Sequence, residues 1–168
     1  MKKFILALVF IGTISCQQEK IAFVDNVKLM DTYQEKIDIE AKFKTRTETF
    51  GKKRDSISQA FQMEAQAFQA KAQKMAQAKA QEEYGQLQQR SQFIGQQLQQ
   101  EEQQLQLQGQ TEMDSLETRV KKEIKAYGES NGYSFILTGG DGGSVLYGKE
   151  AHNIIDAIVK ILNDNYKQ

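Results

Sequence analysis

The residues that come nearest to a chemical motif are Gly143-Ser144-Val145-Leu146-Tyr147-Gly148-Lys149-Glu150. They almost fit the phosphate loop GxxxxGK[ST], whose backbone N–H groups cradle phosphates and whose hydroxyl reaches Mg²⁺. Glu150 stands in place of that hydroxyl and puts negative charge where phosphates would sit. The intervening residues are bulky strand formers, so nucleotide chemistry is not expected. Asp141 lies in Gly139-Gly140-Asp141-Gly142-Gly143, but one carboxylate is not a coordination sphere, and the run reads as a turn. His152 is the only histidine, with no nucleophile signature around it. Carboxylates are plentiful, yet they alternate with Lys and Arg at helical spacing, as solvated helix faces do. The expectation is no catalytic residue, no cofactor, no metal and no enzyme.

Cys16 is the only cysteine, which excludes an intramolecular disulfide or a multi-cysteine metal cage. Its chemistry is read from its address. Lys2 and Lys3 precede the apolar run Phe4–Ile11, and Gly12, Thr13, Ile14 and Ser15 lead into Cys16. That is the layout of a secretory signal over residues 1–15, with an apolar run too short to span a bilayer. Cys16 occupies the position of an acylated lipoprotein cysteine. Thr13 departs from the usual leucine, so an ordinary signal with a bystander cysteine is the other reading.

The elements around these residues follow from composition. The chain has 168 residues and no proline, where ordinary usage of roughly 5% would give about eight. Mean hydropathy is −0.61 and hydrophobic residues make up 39%, lean for a packed globule. Lys+Arg and Asp+Glu both total 22, so no global basic footprint marks a nucleic-acid binder. Without residues 1–15 the balance is 20 basic against 22 acidic groups.

Lys20–Asp25 reads as a strand, and Asp25 or Asn26 can cap a helix beginning near Val27. Little turn chemistry follows until Gly128. One continuous helix of about one hundred residues would reach about 150 Å, so a hairpin over residues 27–128 is expected. Its tip is expected at about 76–86, with Gly85 as the turn residue. Phe43, Phe50 and Ile57 recur at sevens, as do Phe61, Phe68 and Met75. Ile94 and Leu98 continue the stripe on the return arm, which gives a thin coiled-coil seam. These eight residues either pack the two arms together or face a groove that receives unfolded apolar segments. Gly51, Gly85, Gly95 and Gly109 soften the helices.

Residues 59–110 hold 20 glutamines, read as a solvated helical face rather than a contact surface. Lys71, Lys74, Lys79 and Arg90 against Glu82 and Glu83 make the expected tip mildly basic. Residues 16–26 and 129–168 are expected to form a separate β/α body. In it Tyr133–Thr138 and Ser144–Tyr147 read as a glycine-linked hairpin, and Glu150–Tyr166 as an amphipathic helix. Ile21, Phe23, Phe135, Leu137, Val145 and Tyr147 are its strand residues. Three short strands have exposed edges, which oligomerisation can cover.

The opening strand KIAFVD with VKLMDTYQEK, the long proline-free hairpin, and the close GYSFILTGGDGGSVLYGKEAHNIIDAIVKILND together resemble the Skp (OmpH-like) periplasmic chaperones. The fold class expected is α+β: a long antiparallel helical hairpin on a small β body with a C-terminal helix. The resemblance implies a homotrimer whose arms hold unfolded outer-membrane proteins without ATP, in the periplasm, with a membrane tether if Cys16 is acylated. The well-known members are strongly basic; residues 16–168 are slightly acidic, and no residue is assigned to lipopolysaccharide. A structural coiled-coil lipoprotein acting as spacer or adaptor is the alternative, with both stripes buried in a regular coil.

Overall fold

Asp25 ends the first strand and starts the first helix: its carboxylate accepts the Lys28 backbone N–H at 3.1 Å. This computed structural model describes residues 19–167; the expected signal and Cys16 lie outside the described residues. Strand β1 (Ile21–Asp25) leads into α1 (Asn26–Thr32), α2 (Gln34–Ala72) and α3 (Gln77–Ser130). Strand β2 (Phe135–Gly139), a short 3₁₀ turn (Glu150–His152) and α4 (Ile155–Tyr166) complete the chain. At 1.5 Å per residue α2 is about 58 Å long and α3 about 81 Å.

The helix begins where expected but breaks at Tyr33, whose ψ of 115° is extended. No local cap explains the restart. Instead Asn163 of α4 accepts the Gln34 N–H at 2.9 Å, capping α2 from 129 residues away. Tyr166 donates to Asp38 at 2.8 Å one turn further on. Asn163→Ala should therefore cost about 1 kcal/mol, as loss of a helix N-cap does, read as a lower denaturant midpoint with an unchanged slope.

The turn between the arms falls at residues 73–76, N-terminal to most of the expected span, and Gly85 sits inside α3. Lys74 and Met75 donate to the carbonyls of Lys71 and Ala72, tightening the end of α2, and extended Ala76 launches α3. Neither glycine nor proline takes part. Alanine, glutamine and lysine adopt αR and extended backbone equally well, so composition left no mark at this turn.

The expected hairpin in the body is corrected. β2 pairs with β1, in parallel, with Ile21 opposite Phe135 and Phe23 opposite Leu137. The long helical connection makes parallel pairing possible. Ser144–Tyr147 forms no strand. Gly140 and Gly142 have positive φ, and a Cβ on Gly143 would lie 2.5 Å from the Thr138 carbonyl oxygen. The turn is so tight that one rung forms, Val145 N–H to Thr138 O at 3.1 Å, before the chain diverges. Val145 stays half-buried, while Leu146 is fully exposed and Tyr147 84% exposed. The C-terminal helix begins at Ile155, with only the 3₁₀ turn from Glu150 before it.

Apart from Phe50 on α2, the buried core lies at this end. Ala22 and Val24 of β1, Leu29, Tyr33, Leu116, Val120, Ile154, Ile158 and Leu162 form one buried cluster. The arms rise from it with far less apolar burial.

Candidate functional site

Period-seven spacing places the expected stripe on the faces that α2 and α3 turn to each other. Phe43 packs against Gly109, where a Cβ would lie 2.6 Å from the ring. Phe50 is the one candidate that is buried, at 8% exposure. Ile57, Phe61, Ile94 and Leu98 line a single cleft and are each half-buried. Phe68 stacks on Tyr84 with ring centroids 6.1 Å apart, and Met75 sits half-buried in the turn. Three open clefts of about 380, 340 and 360 Å³ follow one another along the seam, beside Phe50, Phe61 and Phe68 respectively.

What sequence reading missed is a set of ion pairs that bridges the arms. Arg46 meets Glu112 through two bonds of 3.0 and 2.6 Å. Lys53 meets Glu101 at 2.6 Å and Arg90 meets Glu64 at 2.6 Å, while Arg119 pairs with Glu35 near the base. The signal was present: positions 35, 46, 53 and 64 on α2 step by eleven and seven, and so do 90, 101, 112 and 119 on α3. Both steps return to one helix face. Each pair is partly exposed and contributes modestly, but together they fix the register of a seam with little apolar burial.

Arg90 is therefore corrected. It lies fourteen residues beyond Ala76, roughly 20 Å from the turn, and is spent on Glu64. Lys71, Lys74 and Lys79 do surround the turn, all exposed.

Hydrogen bonds from Arg46 hold the Glu112 carboxyl below its ordinary value, and those from Gln34 and Tyr166 do the same for Asp38. A depressed folded-state value stabilises the fold above the unfolded carboxylate range and is lost as pH falls through the folded value. The arms should hold from neutrality down to about pH 5 and loosen below about pH 4. Glu112→Gln should flatten that acid transition when it is followed by circular dichroism. Tyr33 is shifted the other way: burial first, then its bond to Glu35, raises its hydroxyl well above the ordinary tyrosine range.

At the base, one face of the sheet lacks a cover. Ala22 and Val24 point into the core, so Ile21, Phe135 and Leu137 point out, with Phe135 54% exposed. Phe23 shares that face, its ring held against Gly139 and Gly148. Among the described residues no cluster of His, Cys, Asp and Glu could hold a metal ion, and no helix is long and apolar enough to cross a membrane.

A family model described as outer membrane protein (OmpH-like) matches residues 20–162. A crystal structure from Caulobacter crescentus CB15, described as an OmpH-like outer membrane chaperone, matches with a TM-score of 0.77. The two chains are 18% identical, over 94% of this chain and 92% of that one. At that identity the likeness speaks for the fold. No curated protein matches.

Proposed function

The chain belongs to the OmpH-like family, and from that premise we propose that it is a non-enzymatic, ATP-independent holdase chaperone of the bacterial cell envelope. Its clients are unfolded outer-membrane proteins, held between helical arms and kept from aggregating. The observation that carries this reading is the division of the molecule. A packed core occupies the base, while arms of about 58 and 81 Å rise from it with half-buried apolar residues and open clefts. Arms of that kind can rearrange around a guest without unfolding the base.

The open sheet face supports self-association. Ile21, Phe135 and Leu137 make an exposed apolar face of the sort that marks an interface, and Leu146 and Tyr147 are exposed in the loop that follows β2. We assign to it a homotrimer, so that several arms share one client and weak contacts add through avidity. Lys71, Lys74 and Lys79 at the arm tips favour acidic segments at the mouth. A periplasmic location fits this work, with Cys16 as the point of tethering if it is acylated. The spacer or adaptor reading requires both stripes buried throughout, and of the eight stripe residues only Phe50 is.

Denatured porin diluted into buffer tests the proposal. Light scattering should be suppressed at one trimer per client, and sedimentation should show trimer alone and a larger complex with client. Unchanged scattering at stoichiometric trimer would overturn the holdase reading; a monomer in sedimentation would overturn the assembly.

A further inference from the structure

The side of α3 that faces away from the seam carries no charge for most of its outer half. Following the helical repeat, Gln86, Gln89, Gln96, Gln100, Gln103 and Thr111 lie in one strip, and all are exposed. The strip is bounded by Glu82 toward the tip and Asp114 toward the base. Between these limits α3 has five charged residues. Arg90, Glu101 and Glu112 are paired across the seam, Glu83 lines the seam cleft beside Phe68, and Glu102 falls on the opposite side of the helix from the strip. Two large apolar residues interrupt the amides: Phe93 at 65% exposure and Leu107 at 64%. They are fourteen residues apart, so they share a heptad position and stand about 21 Å from each other.

We infer that this strip is the client-contact surface of the arm, and that it recognises an extended, uncharged segment whose apolar side chains alternate. An extended chain rises about 3.3–3.4 Å per residue, so the 21 Å between Phe93 and Leu107 spans about six of its residues. Six is an even number, and residues i and i+6 of a strand point to the same side. A segment with apolar residues at every second position thus presents one to each anchor. Its backbone N–H and C=O groups lie over glutamine carboxamides, which both donate and accept. A helical segment brings no such register, and a charged one meets no counter-charge. Lipid-facing strands of membrane β-barrels have this alternation.

A second copy of this arm fits the strip poorly. A helix–helix seam needs apolar residues at Gln97, Gln100 and Gln104 as well, and two side chains bury far less than the ~800 Å² per partner of a stable interface. The inference rests on the holdase reading and gives it a surface and a register. It also changes the meaning of the glutamine-rich stretch, whose amides become the polar half of a binding face.

The test uses the full chain and a fluorescent, charge-free synthetic peptide of about ten residues with apolar side chains at every second position. A peptide of the same composition with its apolar residues bunched at one end is the comparator. The alternating peptide should bind more tightly, with an affinity that holds from about 0.05 M to about 0.5 M salt. The double variant Phe93→Gln/Leu107→Gln should weaken it at least about tenfold through loss of both apolar anchors, while Met63→Gln, exposed on α2, should leave it unchanged. Glutamine is a good helix former, so unchanged thermal unfolding of the variants verifies the fold. Equal binding by wild type and double variant overturns the inference, as does loss of binding with salt. A change in client-free sedimentation with peptide affinity intact also overturns it, by making the strip an interface between copies. Porin tells the two readings apart. If wild type suppresses porin aggregation and the double variant does so equally, the strip fails and the holdase stands. If wild type suppresses nothing, the holdase reading itself fails.

Discussion

Leu116→Ala should lower the stability of the chain by about 3 kcal/mol, within the range for truncating a fully buried leucine. Leu116 has no exposed surface, and it is the point where α3 enters the cluster formed by β1, α1 and α4. That cluster is small. Leu29, Leu116, Ile158 and Leu162 are its four large, fully buried side chains, and α4, which supplies two of them, packs against both α1 and α3. A cavity at Leu116 therefore loosens every element at once, against a total stability of about 5–15 kcal/mol for a typical domain. Phe61→Ala removes a larger side chain from the arm seam, yet should cost only about 1 kcal/mol, because Phe61 borders an open cleft that water already enters. Denaturant unfolding at fixed protein concentration measures both. Equal losses at the two positions would place the stability in the arms and remove the division on which the holdase proposal stands.

The same division explains which features were legible in the sequence. The strand, its Asp25 cap, the long helices and the apolar period of α4 depend on neighbours within a turn or two, and each stood where local chemistry put it. The break at Tyr33 depends on Asn163, a residue 129 positions away, so nothing in the segment from Met30 to Lys36 announces it. The partner of β2 was misread for a related reason. The glycine run from Gly139 to Gly143 does make a tight turn, but the strand that completes the sheet lies at the other end of the chain. Along the arms the apolar stripe was visible, whereas the charged stripe beside it was read as solvated surface. Its opposite charges meet only once the turn at 73–76 sets the register of α2 against α3. Phe93 and Leu107 were hidden by the abundance of glutamine around them, although their two-heptad spacing needs no structure to count.

Alanine in place of Gly51, Gly85 and Gly95 together should raise stability by about 2–3 kcal/mol, since each glycine inside a helix costs about 1 kcal/mol against alanine. A Cβ at any of the three meets nothing within 4 Å, so the backbone gain is not offset by crowding. Gly109→Ala, in α3 with Gly85 and Gly95, should behave oppositely, with no gain or a net loss. Its methyl would approach the Phe43 ring to 2.6 Å, and the ring must leave its place on α3 and open the seam above the base. The thermal midpoints of the triple and single variants measure the contrast; a gain at Gly109 as large as at the other three would show that Phe43 moves aside freely. The triple variant also bears on function. If the arms capture clients by bending around them, stiffer arms should melt later yet suppress porin aggregation less, the usual exchange of stability for activity. If instead the rigid strip along α3 does the holding, suppression should survive the three alanines and fail only when Phe93 and Leu107 are removed.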